Sequence, residues 1–303
     1  MIRIAIIADI HGNYPALEAV VAEIERQQPD YVVLNGDMIN GTPMSSDVLD
    51  YVRSQDWIVI RGNHEFYYLD FDTERARPGF NDQERWGQLH WLMDQISVEQ
   101  GHFMAMLPDE RIFYLPNTQP ISIAHGVSGQ NTVGFSHRLT DDEIAERLEY
   151  VPQRTVVSAH THIQIDRHAE VDGRMWHIIN PGSVGLPLNR NIQAQFAIIE
   201  SVDETVTKGG WRVEHFGVDY DRRPLLDAYK TSGMLAIGGV ISTLFMWEVC
   251  TAEPEIIHFF RWSSQNNLDT DESLVQSFRA YVDATNRDQY VNEHNPLLNG
   301  SRY

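Results

Sequence analysis

A single cysteine, Cys250, stands in a chain of 303 residues. That excludes an internal disulfide framework and a cysteine-built zinc site, and it fits a reducing, cytoplasmic setting. Basic residues are scarce as well: 23 Lys and Arg face 43 Asp and Glu, a formal net charge of −20. Such a surface repels nucleic acid and anionic membrane, and counterion release cannot supply generic affinity for either. A phosphate-bearing substrate must then meet local positive charge, which bound metal ions can provide. Long apolar runs are missing too. Residues 1–8 are too short a run for a signal peptide and carry no small-residue cleavage site before Asp9. The uncharged stretch 233–247 has fifteen residues, against the ~20 a membrane-spanning helix needs. A buried helix is expected there, with no membrane association. No internal repeat and no low-complexity segment is present.

Hydrophobic residues, at 42%, suffice for one large core, or for one core plus an appendage. The first two-thirds alternates β-branched runs with amphipathic segments, the pattern of crossover units. Residues 3–8, 31–34 and 57–60 are strand candidates. Between the first two, Leu17, Val20, Val21 and Ile24 recur at helical spacing after a cap at Asn13 and before Pro29. Each strand stops at a polar cluster: Asp9 and His11, then Asn35-Gly36-Asp37, then Arg61-Gly62-Asn63-His64-Glu65. In open α/β sheets, ligands gather outside the carboxyl ends of strands. Residues 66–116 are helical and aromatic, with Trp86, Leu89, Trp91, Leu92 and Ile96 on one face and no ligand-like cluster. Strands resume at 121–124, ending at His125-Gly126, and at 155–157, ending at Ala159-His160-Thr161-His162. Runs 175–179 and 194–199 flank the turn Asn180-Pro181-Gly182-Ser183-Val184-Gly185, which reads equally as a tight turn and as a substrate contact. The last sheet strand is expected at 211–218. Beyond it the text turns helical, with an acidic amphipathic stretch at 269–284 and a polar tail at 292–303.

Asp9 with His11, and His160 with His162, are i, i+2 pairs; on an extended strand end such side chains share a face, where both could bind one cation. Taken alone, an Asp-x-His is more often a surface turn or a cap, and Gly-Asp is a common turn dipeptide. Asn63 offers a neutral oxygen ligand and His64 can deliver a proton. Together the pieces say more, because every strand terminus expected on one sheet edge carries metal-ligand types.

In order and spacing, Asp9-x-His11, Gly36-Asp37, Gly62-Asn63-His64-Glu65, His125-Gly126 and His160-Thr161-His162 resemble the calcineurin-like metallophosphoesterases. The likeness spans about residues 1–217 and points to the small bacterial phosphodiesterase and dinucleoside-tetraphosphatase branch. Ala159 stands where the family usually has glycine. The resemblance implies an α/β fold, a four-layer α/β/β/α sandwich over residues 1–217, followed by a mainly helical extension over 218–303. That extension would serve as a cap, a buttress or a dimer face for a homo-oligomer. The resemblance also implies two divalent metal ions, one held by Asp9, His11, His162 and a bridging Asp37, the other by Asp37, Asn63, His125 and His160. Mn is the first expectation, with Fe, Zn or Ni also accepted by such ligands. A metal-bridging hydroxide would be the nucleophile, with His64 handling the proton beside Asn63 and Asp37. Arg61 and Asn35 are lesser candidates for substrate contact. The implied activity is hydrolysis of a small phosphoester or nucleotide, as a phosphodiesterase or dinucleoside polyphosphate hydrolase. A serine/threonine-type protein phosphatase is the alternative enzyme, and a non-catalytic metal- or nucleotide-binding regulator the alternative class. His90, His102, His137, His168, His177, His215, His258 and His294 fit no ligand spacing.

Overall fold

Along the first strand, Ile4 and Ile6 turn to one apolar cluster and Ala5 and Ile7 to another, so both faces of the sheet are covered. The computed structural model, which describes residues 1–300, repeats this division throughout. Its strands are β1 (Arg3–Ile7), β2 (Tyr31–Asn35), β3 (Ile58–Ile60), β4 (Glu110–Phe113), β5 (Ile121–Ala124), β6 (Thr155–Val157), β7 (Ile165–Val171), β8 (Arg174–Asn180), β9 (Ala194–Ser201) and β10 (Trp211–Val218). They form two five-stranded sheets, ordered β10-β9-β1-β2-β3 and β4-β5-β6-β8-β7. β1, β2 and β3 run parallel, as do β5, β6 and β8, while β9 and β10 close one sheet antiparallel and β4 and β7 border the other.

Ile4, Ile6, Val33, Ile123, Val157 and Ile179 fill the space between the sheets. The outer face of the first sheet packs on α1 (Tyr14–Gln27) and α2 (Ser45–Arg53). The outer face of the second packs Val156, Trp176 and Ile178 against Ile144 and its neighbours on α6 (Asp141–Arg147). This is the four-layer α/β/β/α sandwich expected from the sequence. Asn13 caps α1 by accepting from Ala16 N at 3.1 Å, as its position suggested. Two strands were not expected, β4 and β7. Both are sheet edges with polar, mostly exposed residues, so neither carries a continuous apolar run.

The remaining helices are α3 (Asn63–Leu69), α4 (Gln83–Met93), α5 (Val98–Met106), α7 (Arg223–Thr231), α8 (Met234–Thr251), α9 (Glu255–Gln265), α10 (Leu274–Thr285), α11 (Arg287–His294) and α12 (Pro296–Asn299). The polar tail expected from residue 292 is therefore helical through α11 and α12 as far as Asn299, and residues 301–303 lie outside the described residues. α8 is longer than expected and kinks at Gly239, whose φ is 51°. By length and composition α8 could cross a membrane, but 56% of it is buried against the rest of the chain. Leu225, Tyr229, Leu244 and Phe259 share one apolar cluster with Leu17, Leu34 and Val184. Tyr229 Oη donates to Gly41 O at 2.5 Å, and Asn13 Nδ2 donates to Tyr220 Oη at 2.9 Å. Cutting the chain at residue 220 would open this core.

Glu248 on α8 is buried, with Oε1 accepting from Ile256 N at 3.2 Å. Burial, reinforced by Glu255, pushes its carboxyl from 4.5 up to about 8. Below pH 4.5 both folded and unfolded chains hold this proton. As pH rises toward 8 only the unfolded chain releases it, so stability falls across that window. Glu248→Gln is expected to remove roughly 1 kcal/mol per pH unit from that slope. Urea unfolding of the variant and the parent at pH 5, 6, 7 and 8 would check it; identical slopes would refute the buried, protonated carboxyl.

Candidate metal centre

Asp9 and His11 follow β1, Asp37 follows β2, and Asn63 and His64 follow β3 at the start of α3. His125 follows β5, and His160 and His162 follow β6. All eight meet at the carboxyl ends of the two sheets. The local geometry is not the extended strand end expected. Asp9, His11, Asp37, His160 and His162 have φ of 54°, 52°, 55°, 65° and 57°. Left-handed backbone at a residue with a Cβ costs on the order of 1–2 kcal/mol, and such strain collects where function requires it. Asp9 and His11 converge as their loop packs on the β2 loop, Asp9 N donating to Gly36 O at 3.1 Å and His11 N to Asp37 O at 2.9 Å, whereas His160 and His162, expected to share one cation, enter different ligand groups.

Asp37 sits at the middle. Its Oδ1 accepts from His64 N at 2.8 Å, which turns Oδ2 toward the imidazoles. Oδ2 lies 3.1 Å from His125 Nε2, 3.7 Å from His11 Nε2 and 3.9 Å from His64 Nε2, with no hydrogen-bond partner assigned to it. On one side, His162 Nε2 is 3.5 Å from Asp9 Oδ1 and 3.1 Å from His11 Nε2. On the other, Asn63 Oδ1 is 3.1 Å from His125 Nε2 and 2.9 Å from His160 Nδ1. Three of the imidazoles are oriented by backbone carbonyls at Nδ1: Asn40 O for His11 at 2.8 Å, Asn35 O for His125 at 2.8 Å and Leu186 O for His162 at 2.5 Å. Donation from Nδ1 leaves the Nε2 lone pair aimed into the cluster, the usual support for a metal-binding histidine.

The electrostatics suit cations. Burial lowers His11 well below the ordinary imidazole range, His162 to about 3 and His160 to about 4, so these rings are neutral and carry free lone pairs. His125 goes the other way: burial opposes its charge, but Asp37 and Asp9 raise it to about 10. Burial drives Asp9 well above the usual carboxylate range and the charge of Asp37 adds to this, whereas His125 and His64 hold Asp37 well below it despite burial. Without added positive charge the pair cannot both ionise comfortably. Both oxygens of Asp9 and Oδ2 of Asp37 are buried without protein partners, and two imidazole nitrogens face each other at 3.1 Å. Divalent cations satisfy all of these atoms at once. Asp9, His11 and His162 form one set within ligand reach, and Asp37, His125 and His160 another. His64 also groups with His11 and Asp37.

Other residues hold these loops. Glu65, buried, accepts from Gly62 N at 2.6 Å, Asp37 N at 2.9 Å and Met38 N at 2.7 Å, clamping the β2 and β3 loops together. Burial and Asp37 raise its carboxyl to about 7, against the pull of those N–H donors. Its spacing three residues after Gly62 is a capping-box signal that could have marked it. The turn at residues 180–185 is a buckle. Ser183 Oγ donates to Asp9 O at 2.8 Å, Gly185 N donates to Asp9 O at 2.9 Å, and Asn180 Nδ2 donates to Ala159 O at 2.9 Å. A Cβ on Gly185 would lie 1.8 Å from Ile10 O, so only glycine allows this approach. Arg61 and Asn35, the lesser candidates for substrate contact, both have protein partners. The Arg61 guanidinium pairs with Asp109 at 2.5 Å and stacks over Phe66, and Asn35 is fully buried, donating to Ala124 O at 3.0 Å. His168 and His177, which fit no ligand spacing, come together with Asp166 across the β7–β8 register, Asp166 and His168 exposed and His177 buried.

A family model described as calcineurin-like phosphoesterase matches residues 2–164, which include all eight residues of the cluster. An uncharacterized protein of Methanocaldococcus jannaschii is 25% identical over 239 residues, 72% of this chain and 88% of that one. Among solved structures, a metallophosphoesterase from Sphaerobacter thermophilus aligns with a TM-score of 0.58 and 21% identity, covering 80% of this chain and 98% of that one. A hypothetical protein from Pyrococcus horikoshii OT3 aligns with a TM-score of 0.64 and 18% identity, covering 81% and 98%.

Proposed function

Because the chain belongs to the calcineurin-like phosphoesterase family, we propose that the cluster around Asp37 holds two divalent metal ions and hydrolyses phosphodiester or nucleotide bonds. The chain is a metal-dependent phosphoesterase, a hydrolase. The finer reading rests on one observation: Asp37 Oδ2, buried, lies between imidazoles that belong to both ligand sets, 3.1 Å from His125 Nε2 and 3.7 Å from His11 Nε2. One metal would be held by Asp9, His11, His162 and Asp37, the other by Asp37, Asn63, His125 and His160. Bound there, the ions supply positive charge against the phosphoryl oxygens and make water acidic enough to attack at neutral pH. The manganous ion is proposed first, and the low cysteine count and acidic surface support a small-molecule enzyme of the cytoplasm.

The side chains divide the remaining work. Asp37 fixes the spacing of the two sets. As ligands the imidazoles and Asn63 would be neutral, so the set would bring little negative charge to repel a phosphate. As the oxygen of water joins phosphorus and the ester P–O bond breaks, the departing oxygen needs a proton. His64 stands beside the cluster without being required as a ligand, and it supplies that proton or a hydrogen bond to the phosphoryl oxygen.

Bis(p-nitrophenyl) phosphate hydrolysis is expected to fall below detection after chelation and to return on adding Mn²⁺, with two ions bound per chain by elemental analysis. The melting temperature should rise with metal, since ions that bind only the folded state stabilise it. Absence of turnover with Mn, Fe, Zn and Ni alike would overturn the enzymatic reading.

A further inference from the structure

α8 and α9 place four apolar side chains, Ile241, Phe245, Ile256 and Phe260, only partly buried, while Leu244, Trp247 and Phe259 on the same helices are in the core. The half-buried four, with Tyr67 and Trp86, wall a cavity of about 320 Å³ whose lining also includes His64 and Asn40. The cavity thus begins at the residue assigned to the departing oxygen. The His64 ring lies 5.2 Å from Tyr67 and 6.5 Å from Phe245 between centroids, and Tyr67 lies 6.1 Å from Trp86.

This wall is held in place by close packing. A Cβ on Gly87 would lie 2.4 Å from Ile237 O, so α4 and α8 meet in backbone contact between Trp86 and Gln88. Gln88 Nε2 donates to Asn40 Oδ1 at 2.5 Å, which fixes its amide and leaves Oε1 as an acceptor without a protein partner. A separate cavity of about 330 Å³ shares Tyr67 and Trp86 but borders Asn63 and carries Arg75 and Arg77. Asp70 pairs with Arg75 in the lining of that second cavity, and Arg85 lies in the lining of the first, over the Phe260 ring at 5.4 Å.

We infer that the cavity between α4, α8 and α9 receives the alcohol half of the ester, a nucleoside-sized aromatic heterocycle, its ester oxygen at His64. The inference rests on the phosphoesterase reading above and assigns a role to the helical extension: it builds the specificity wall. Tyr67, Trp86, Phe245 and Phe260 give this wall four aromatic rings, which match a flat heterocycle better than an alkyl chain.

Adenosine serves as the probe, tested as an inhibitor of bis(p-nitrophenyl) phosphate hydrolysis by the Mn²⁺-loaded full chain, with inorganic phosphate as the reference inhibitor. Adenosine should compete with substrate in the parent. Phe245→Ala removes part of the wall and Ile256→Trp fills the cavity; either should weaken adenosine inhibition about tenfold or more, while phosphate inhibition shifts less than about twofold. If Phe245→Ala fails to fold, Ile256→Trp alone carries the test. No inhibition of the parent, equal inhibition of parent and variants, or stronger inhibition by 1-hexanol than by adenosine would overturn the inference. A parent that turns over no ester refutes the phosphoesterase reading separately. Calorimetry with adenosine then decides the cavity: binding lost in Ile256→Trp supports it, and no binding to the parent overturns it.

Discussion

Asp37→Asn is expected to abolish turnover and to empty the site of metal. The two oxygens of Asp37 have different duties: Oδ1 accepts the His64 amide at 2.8 Å, and Oδ2 lies 3.1 Å from His125 Nε2 and 3.7 Å from His11 Nε2. An amide that keeps the first contact must turn its N–H₂ group to the second, and one that brings its neutral oxygen to the second loses the first. A neutral oxygen binds one cation weakly and cannot balance two. An N–H₂ group would point hydrogens where the cations belong. The fall in kcat/KM on bis(p-nitrophenyl) phosphate should be on the order of 10³-fold or more, because both ions contribute to the same displacement. Elemental analysis should find less than one tightly bound ion per chain. The fold should persist, since Glu65 binds the backbone N–H groups of residues 37 and 38 and does not depend on the Asp37 side chain. Two ions retained at full occupancy would refute the bridging role.

The second large effect concerns His64, and it separates two roles that geometry alone leaves adjacent. His64 Nε2 is 3.9 Å from Asp37 Oδ2, and its ring meets that of His11 edge-on at 4.6 Å. It therefore stands close enough to be mistaken for a ligand. Its ring nevertheless borders the apolar cavity, and its Nδ1 has no protein partner, whereas His11, His125 and His162 are each oriented by a carbonyl. A proton donor must face the departing group. His64→Ala should lower kcat by about 10²- to 10⁴-fold, with both ions retained and KM changed little. Loss of one ion would make His64 a ligand and move the proton-handling role elsewhere.

Much of this was legible in the sequence, and the reasons are local. β1, β2, β5 and β6 are buried on both faces, so each is a short apolar run that ends abruptly at a polar cluster. β4 and β7 lack that contrast because each lies at a sheet edge. The expectation of shared faces at Asp9 and His11 was correct in outcome and wrong in cause, because left-handed turns, not pleating, bring the side chains together. Asn40 and Leu186 support ligands through backbone carbonyls, which any residue could supply, so no side-chain signal exists for them. The partner of Arg61 is not legible in the sequence, because a charge beside a motif says nothing of the distant Asp109 that pairs with it. His168 and His177 come together only through strand register, a long-range property.

The turn that buckles the Asp9 and His160 loops is also the point where the chain leaves one sheet for the other, passing from β8 to β9. Asp9, His11, Asp37 and Asn63 hang from the first sheet; His125, His160 and His162 hang from the second. Ions shared among these seven would rivet the two halves together at one end of an interface held elsewhere by an apolar cluster and by hydrogen bonds such as Asn35 Nδ2 to Ala124 O and Trp211 Nε1 to Gln119 O. Catalytic geometry and the alignment of the two halves then become one mechanical variable: a shear too small to unfold the chain would disarm it.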